Sequence, residues 1–306
     1  MSTLHENELK HVAEKDGATI GMAMTEKQGG SDVRANTTTA TPVDQRGSGK
    51  EYKLTGHKWF CSAPMSDMFL TLAHTDKGLS CFLVPRILPG GKKNNFYIQR
   101  LKDKLGNRSN ASSEIEYLDT SAYLVGEEGK GVKTIIDMVN YTRLDCAVGS
   151  SGMMKQALTQ AIHHADQRET FGKKLIDQPA MQNVLADLAL EAEASATMSF
   201  RLANAFDLAE KGSDEEKAFS RIATAVAKYY ITKRASGMIA EAMECLGGSG
   251  YVKERNLERL YREAPVNAIW EGSGNVQALD VLRAIMKTPE SLDIYMSEVN
   301  KAKGMN

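Results

Sequence analysis

The pattern of the chain changes once, at the glycine-rich segment 126–131, which reads GEEGKG. Before this segment, turn-forming residues interrupt the chain every few positions. After it, apolar residues recur with the spacing of an α-helix. A chain that changes its period in this way is expected to fold into a β-rich part followed by a helical part. This change constrains the fold more than any other feature of the sequence.

The part before this segment contains short runs of strand character that are bounded by turn formers such as Gly29-Gly30 and Asn94-Asn95. The pattern predicts an antiparallel, β-barrel-like domain over residues 1–125. The predicted strands are 37–41, 51–55, 68–74, 80–84, 96–101 and 113–117.

The part after the segment predicts four helices. The first extends from about 132 to 168, and Pro179, which is tolerated in a first turn, begins a second that ends near Gly212. Ser213 with Glu216 forms a capping-box pattern that begins a third helix, and Gly247 ends it. The fourth helix covers about 276–286. We therefore expect an α+β multidomain fold, with an up-down four-helix bundle over 126–290 and a fraying tail over 291–306.

Composition excludes several classes of protein. The 38 basic and 39 acidic side chains give a net charge of -1, so no general electrostatic attraction to nucleic acid or to an anionic membrane is expected. The N-terminal residues 1–8 are polar and acidic and predict no signal peptide, and no apolar run is long enough to span a membrane. We therefore expect a cytoplasmic protein.

The cysteines and histidines predict no metal site. The four cysteines, at positions 61, 81, 146 and 245, lack CxxC spacing and suggest neither a zinc site nor a disulfide framework. His163 and His164 are adjacent on a predicted helix, so their side chains point about 100° apart.

The best candidate for a catalytic group is Glu271, which lies between Trp270 and a run of glycines just before the last predicted helix. A carboxylate that is partly desolvated beside an aromatic ring has a raised pKa, which suits a general base. The alternative is an ordinary loop glutamate, with Ser273 as a simple helix cap.

Two stretches in the β-rich part could line a ligand. The loop from Met22 to Val33 offers Thr25 and Ser31 hydroxyls among glycines, although it could also be a polar turn. In an extended segment Phe60 and Ser62 share a face, which would present a ring and a hydroxyl together. The structural alternative for that segment is a plain strand with Trp59 in the core.

Two stretches in the helical part could bind phosphate. Arg168 could hold a pyrophosphate with two hydrogen bonds, and the cluster at Gly247 and Gly248 could admit another phosphate. Each could equally be an exposed helix end with a glycine stop. The glycine cluster lacks GxGxxG spacing and follows a helix, so a Rossmann nicotinamide site is rejected.

Taken together, these stretches resemble the acyl-CoA dehydrogenase flavoprotein superfamily, and most strongly its AidB-type alkylation-response branch. The resemblance spans roughly residues 17–286. It is carried by MTEKQGGSD at 24–32, GHKWF at 56–60, LSCF at 79–82, RLKDKLGNRSNAS at 100–112, EAMECLGG at 241–248 and PVNAIWEGSGN at 265–275.

The resemblance implies FAD bound in extended form between the two domains and across a subunit interface, in a homodimer or homotetramer. Glu271 matches the catalytic base, and Thr142 matches the position where some branches carry the base instead. Arg168, Phe171, Gly247 and Gly248 would serve the adenosine half of a neighbour's cofactor. The implied cofactor-binding residues are Met22, Met24, Thr25, Gly30, Ser31, Phe60, Cys61, Ser62, Arg168, Phe171, Gly247, Gly248, Ile269, Trp270, Gly272, Ser273 and Asn275.

The implied activity is that of an FAD-dependent acyl-CoA dehydrogenase. Glu271 would abstract the α-proton of an acyl-CoA or other acyl thioester, the β-hydride would pass to the flavin, and an electron-transfer flavoprotein would accept the electrons. Relatives carry a helical domain before the loop at Met22, and that domain helps to roof the acyl pocket. Since this sequence lacks it, flavin binding is expected more firmly than turnover.

Two alternatives remain open. One is an AidB-like flavin-containing protein that binds DNA in the alkylation response, with little or no dehydrogenase turnover. The other is an oligomeric scaffold that binds no flavin.

Overall fold

The computed structural model of the protein describes residues 10–304, so the N-terminal stretch 1–8 discussed above lies outside the described residues. The chain divides into two compact units. The first contains the described part of Met1–Lys104 together with Arg108–Met138, and the second contains Leu105–Asn107 and the described part of Val139–Asn306. The predicted domain bounds 1–125 and 126–290 stay a prediction.

The first unit is built from seven strands. They are β1 (Ile20–Ala23), β2 (Thr39–Pro42), β3 (Glu51–Cys61), β4 (Met68–Thr75), β5 (Gly78–Pro85), β6 (Phe96–Leu101) and β7 (Ser113–Val125). All six predicted strands form, and β1 is an additional strand that the sequence pattern did not indicate.

The strands close into a barrel-like sheet. β4 pairs with β5, β5 with β7, β7 with β3, β3 with β2, and β2 returns to β4, while β6 lies beside β7. The β-barrel-like architecture expected from the sequence is therefore confirmed. Most pairings are antiparallel as predicted, but β1 and β2 each pair with β4 in parallel.

The interior of the barrel is filled by side chains that alternate inward along each strand. Tyr52 and Phe82 meet edge to face with ring centroids 5.2 Å apart, and Phe69 stacks on Phe96 at 4.9 Å. Ile115 and other aliphatic side chains complete this buried cluster. This packed core supports the strands, and the candidate ligand-binding residues lie at the ends of those strands.

Seven helices follow in the described part of the chain. They are α1 (Gly131–Gln167), α2 (Pro179–Glu210), α3 (Asp214–Cys245), α4 (Gly248–Tyr251), α5 (Leu257–Asn267), α6 (Gly274–Lys287) and α7 (Glu290–Lys301). The short strands β8 (Glu169–Thr170) and β9 (Lys173–Lys174) form a hairpin between α1 and α2. The four predicted helices correspond to α1, α2, α3 and α6.

The helix α3 is the centre of the second unit, because α2, α4, α5, α6 and α7 all contact it. Its start is set as predicted, since the Ser213 hydroxyl accepts a hydrogen bond from the Glu216 N–H at 3.3 Å. Its buried residues include Ala227 and Ile231, which pack with Leu158 and Leu188 in one hydrophobic core. A polar residue on this face of α3 would therefore be buried.

The segment for which we expected a fraying tail contains α7 instead. Tyr295 stacks on Phe219 with ring centroids 5.9 Å apart, and Glu298 pairs with Arg201. The prediction of a tail was wrong over residues 290–301, because these long-range contacts stabilise a helix that local sequence does not indicate.

Within the described residues, no helix combines the length and apolar character that a membrane span requires. Nor do three or more His, Cys, Asp or Glu side chains converge there in a way that could bind a metal ion.

Candidate active site

Glu271 lies in the loop between α5 and α6, in an unusual backbone conformation. Its φ is +57° and that of Gly272 is +94°, both in the left-handed region. A non-glycine residue rarely adopts this region, and doing so costs about 1 kcal/mol or more unless surrounding contacts hold it. Such positions cluster at functional sites.

The Glu271 carboxylate is paired with one hydroxyl. Thr142 on α1 donates to Glu271 Oε2 at 2.7 Å. Burial raises the pKa of Glu271, and this outweighs the lowering effects of the Thr142 hydrogen bond and of Arg143 and Lys228. The raised pKa predicted for this glutamate agrees with the structure. Thr142 therefore acts on the carboxylate as a hydrogen-bond donor.

Three side chains from three helices hold the backbone of this loop. Lys228 on α3 donates to the Trp270 carbonyl at 2.7 Å and to the Gly272 carbonyl at 2.5 Å. Arg143 on α1 and Gln277 on α6 each donate to the Glu271 carbonyl at 3.1 Å. Three successive carbonyls are thus tied to the helices, which fixes the strained residue between them.

The arginine in this group is itself anchored by Asp280 on α6. Arg143 donates to Asp280 Oδ2 at 2.8 Å, and Arg221 donates to Asp280 Oδ1 at 2.9 Å. Although burial favours the neutral acid, the two arginines lower the pKa of Asp280. The carboxylate stays ionised and orients Arg143 toward the loop.

Sequence reasoning missed Lys228, Arg143, Gln277 and Asp280. For Lys228 a signal existed, because it occupies the same helical face as Ala225, Ile231 and Ala235, where only apolar residues are expected. The other three lie in ordinary amphipathic helices, and no local pattern marks them.

The residues next to Glu271 in the chain differ in their exposure to solvent. Ile269 is 67% exposed and available to a ligand, whereas the Trp270 indole donates to Asn267 Oδ1 at 3.0 Å. Ser273 stands at the start of α6, but its side chain makes no capping hydrogen bond, contrary to the simple-cap interpretation. Asn275 is exposed on the first turn of α6.

In the first unit, the loop after β1 lies beside the end of β3. The Trp59 N–H donates to the Thr25 carbonyl at 2.7 Å. A Cβ on Gly30 would lie 2.6 Å from the Thr25 hydroxyl, so glycine is needed for that hydroxyl to keep its place. Ser31 is exposed, while Met22 and Met24 are half-buried, with Met24 packed on a small apolar cluster.

The end of β3 presents Phe60 and buries Cys61. The Phe60 ring is 46% exposed, with the Lys102 ammonium 4.6 Å from its centre. Ser62 is half-buried. Cys61 is fully buried and its thiol pKa is raised to about 12 by burial, so only its backbone could contact a ligand. The sequence assigned this cysteine to cofactor binding without separating side chain from backbone.

The core position on this strand is Lys58, and Trp59 is only half-buried. An irregularity in the pairing of β3 with β7 between Lys58 and Cys61 shifts the alternation of faces. Lys58 pairs with Glu26 at 2.8 Å, and both side chains are fully buried. Glu26 also accepts from the Thr37 and Thr38 N–H groups, so this ion pair fixes the loop that carries Thr25.

The predicted phosphate-binding residues lie at the ends of α1 and α3. A groove of about 360 Å³ is lined by His164 and Gln167 from α1, by Leu246 after α3, and by Arg255. Arg168 follows directly on α1, and Gly247, with φ +56°, follows Leu246. Gly248 is exposed, and the Phe171 ring is 99% exposed. The groove is lined by Gln167 and Leu246, which directly precede Arg168 and Gly247, while Arg168, Phe171, Gly247 and Gly248 themselves are not among its lining residues.

Comparisons with known proteins show which family the chain resembles. A model of the acyl-CoA dehydrogenase middle domain matches residues 21–120, and one of the acyl-CoA dehydrogenase C-terminal domain matches residues 129–286. AidB of Escherichia coli (strain K12) is 49% identical, over 100% of this chain and 56% of that protein. Acyl-CoA dehydrogenase family member 11 of Caenorhabditis elegans is 37% identical, over 94% of this chain and 48% of that protein.

A solved structure shows the same fold. The crystal structure of Caenorhabditis elegans ACDH-11 in complex with C11-CoA matches with a TM-score of 0.88 and 36% identity, over 93% of this chain and 50% of that one. The chain spans about half the length of these relatives. Because one family model alone covers more than half of its residues, the chain belongs to the acyl-CoA dehydrogenase family.

Proposed function

We propose that this chain carries the catalytic base and the flavin-binding residues of an FAD-dependent acyl-CoA dehydrogenase. The observation that carries the proposal is Glu271, a carboxylate with a raised pKa, held in a strained loop and contacted by Thr142. Family membership supports the reaction class, and the geometry of Glu271 supports its proposed role as the base.

The environment of Glu271 suits proton abstraction. Burial weakens the hydration of its carboxylate, and a base with a raised pKa receives a proton more favourably than an ordinary glutamate. Only the ionised form accepts a proton, so the rate of abstraction rises with pH through the raised pKa. The loop carbonyls are tied to Lys228, Arg143 and Gln277, which keeps the carboxylate positioned while its charge changes.

The residues of each unit fit a flavin. In the first unit, the exposed Phe60 ring can stack on a planar heterocycle, and the Thr25 and Ser31 hydroxyls can donate to its polar edge. In the second unit, Arg168 and the left-handed Gly247 can bind a pyrophosphate, and Phe171 can contact adenine. The other residues that we propose for flavin binding are Met22, Met24, Gly30 and Ser62 in the first unit, and Gly248, Ile269, Trp270, Gly272, Ser273 and Asn275 in the second.

The proposed dehydrogenation of an acyl thioester requires one base and one hydride acceptor. FAD, when bound, supplies the two-electron acceptor for the hydride that leaves the β-carbon. Glu271 removes the α-proton, the electron pair of that C–H bond becomes the second bond between the α- and β-carbons, and the glutamate is left protonated. The proton then returns to solvent.

The substrate we propose is an acyl-CoA. The related ACDH-11 was crystallised with C11-CoA, which supports a thioester of coenzyme A, although chain length is a property of the whole enzyme. An electron-transfer flavoprotein would accept the electrons. We also propose a homodimer or homotetramer, because Phe171 and Arg168 are exposed in the single chain and would serve a neighbour's cofactor.

The experiment is an anaerobic titration of the FAD-loaded protein with acyl-CoA, followed by visible absorbance. Wild type should lose its flavin absorbance, and Glu271→Gln should keep it while still binding FAD. Glu241→Gln, a change at an exposed glutamate on α3, is the matched control and should behave as wild type. Loss of absorbance by Glu271→Gln at the wild-type rate would refute the assignment of the base.

The DNA-binding alternative receives no support from the one local basic cluster that the sequence offers, Lys253, Arg255, Arg259 and Arg262. These residues alternate with Glu254, Glu258 and Glu263, and Arg262 is ion-paired with Glu258. Retention on a duplex DNA column should therefore be absent at about 150 mM salt. Retention that weakens steeply with salt would favour the alternative.

A further inference from the structure

Lys228 is a buried ammonium whose hydrogen bonds converge on the catalytic loop. Its side chain is 1% exposed, and it projects from the central helix α3. Its Nζ donates to the carbonyls of Trp270 and Gly272, at 2.7 and 2.5 Å, which are the residues on either side of Glu271. The ammonium of Lys228 therefore bridges the two backbone carbonyls on either side of Glu271.

This cation is balanced differently from the other buried lysine. Lys58 has an ion-paired carboxylate in Glu26, whereas Lys228 makes no direct ion pair among residues 10–304, and the nearby Glu271 carboxylate acts on it only through space. A buried ammonium whose hydrogen bonds go only to carbonyls is less stable than one that is directly paired with a carboxylate, so its place in the core needs a further explanation. The carbonyls that Lys228 binds belong to the loop in which Glu271 has a left-handed backbone conformation. Holding this loop in place would explain why the lysine is buried.

The left-handed backbone conformation of Glu271 depends on contacts that hold the loop in place. A left-handed φ at a glutamate costs free energy, and α5 and α6 alone leave the loop between them free to relax. The two charge-assisted hydrogen bonds from Lys228 stabilise the arrangement in which Glu271 Oε2 faces Thr142. Arg143 and Gln277 hold only the central carbonyl and one flank.

We propose that Lys228 is a positioning residue for Glu271, and that its ammonium clamps the carbonyls of Trp270 and Gly272 and so keeps the carboxylate in place. The catalytic consequence rests on the proposed function. The clamp itself is a property of the loop and can be measured without flavin or substrate.

The clamp also makes the loop sensitive to alkaline pH. The charged or titratable groups that face Lys228 are Cys146 and Arg143 from α1, Glu271 from the loop and Lys233 from its own helix. Burial is the main influence and lowers the pKa of Lys228 to about 8. A neutral amine keeps N–H donors but loses the charge that strengthens them, so the loop loosens as pH rises through this value.

The test is hydrogen exchange of the backbone amides of residues 268–277, measured by mass spectrometry on the whole protein. Lys228→Met should exchange in this segment at least about tenfold faster than wild type at pH 7, because charge-assisted hydrogen bonds contribute at least this factor. The matched control is Lys217→Met, which removes an exposed lysine from the same helix far from the loop and should leave exchange unchanged.

A second measurement needs no variant and covers the case in which Lys228→Met fails to fold. In wild type, the exchange rate of 268–277, corrected for the intrinsic effect of pH, should increase between pH 7 and 9, while the exchange rate of α3 stays constant. A flat corrected rate in wild type would overturn the clamp, as would equal exchange in a folded Lys228→Met.

Kinetics separate the clamp from the proposed function. Lys228→Met should lower kcat for acyl-CoA oxidation more than tenfold with little change in KM, and the alkaline limb of the wild-type pH profile should disappear. If exchange behaves as expected but Glu271→Gln turns over normally, the clamp stands and the proposed base is wrong. If Glu271→Gln is inactive and Lys228→Met matches wild type in both measurements, the clamp is wrong.

Discussion

At the scale of single residues, Glu271 is under opposing influences, and Thr142 is the neighbour that can be changed most cleanly. Burial raises the pKa of Glu271, while the Thr142 hydroxyl lowers it by stabilising the ionised form. Thr142→Val keeps the volume and removes the donor. We expect the acid limb of the pH-rate profile to move to higher pH, measured by the rate of flavin reduction.

The size of this change can be checked against Thr142→Ser, which keeps the hydroxyl and should leave the acid limb in place. A limb that moves to lower pH in Thr142→Val would contradict the assignment, since removing a donor to a carboxylate cannot favour its ionised form.

The ion pair of Glu26 with Lys58 predicts an acid-sensitive first unit. Burial alone would raise the pKa of Glu26, but Lys58 and the Thr37 and Thr38 donors lower it from 4.5 to about 2. A lowered pKa stabilises the folded state above the ordinary value, and this contribution is lost as pH falls from about 4.5 to 2. Linkage puts the loss on the order of 3 kcal/mol.

Urea unfolding of wild type at pH 5 and pH 2.5 would measure this loss. Glu26→Gln should start less stable, because it leaves Lys58 buried without its partner, but it should change less between the two pH values. Glu116→Gln, at an exposed position on β7, should keep the wild-type difference. An equal loss of stability in Glu26→Gln and wild type would contradict the role of the pair.

Residue identities in the candidate site were only partly accessible from sequence. Glu271 could be selected because a glutamate between an aromatic ring and glycines is locally unusual. Lys228 and Asp280 act through contacts with residues more than 40 positions away, and nothing adjacent in the chain marks such contacts. The position of Trp59 was mistaken because an irregular pairing, which period-two alternation does not contain, shifts the strand by one residue.

At the scale of secondary structure elements, the length of a helix or strand determined whether the sequence predicted it. The helices α1, α2 and α3 each present many turns of one apolar face, and their bounds follow from sequence to within a few residues. The strand β1 has only four residues and the helix α5 ends at Asn267 with Pro265 inside it, so local signals were weak. The helix α7 depends on contacts that α2 and α3 provide.

The helix α7 gives a prediction at this scale. Tyr295 packs on Phe219 of α3, and Tyr295→Ala removes most of that contact. We expect a loss of about 2 kcal/mol of stability and faster hydrogen exchange throughout 290–301. Met296→Ala, at an exposed position one residue along, should change neither quantity. If α7 exchanges equally in both variants, its stability has another source.

At the scale of the whole molecule, FAD binding should depend on a residue far along the chain from the flavin-facing loop. If Arg168 binds the pyrophosphate, Arg168→Ala should weaken FAD binding by about ten- to a hundredfold, since it removes a charge-assisted hydrogen-bond pair. Fluorescence quenching of added FAD measures the affinity. Lys173→Ala, at a nearby exposed cation, should bind FAD as wild type does.

We propose that Glu271 removes the proton from the α-carbon of an acyl thioester. The most direct measurement is incorporation of deuterium from D₂O into the α-position of acyl-CoA by the FAD-loaded protein, read by mass spectrometry of the recovered thioester. We expect wild type and Glu241→Gln to incorporate deuterium and Glu271→Gln to show only the uncatalysed background. Incorporation by Glu271→Gln at the wild-type rate would contradict the account.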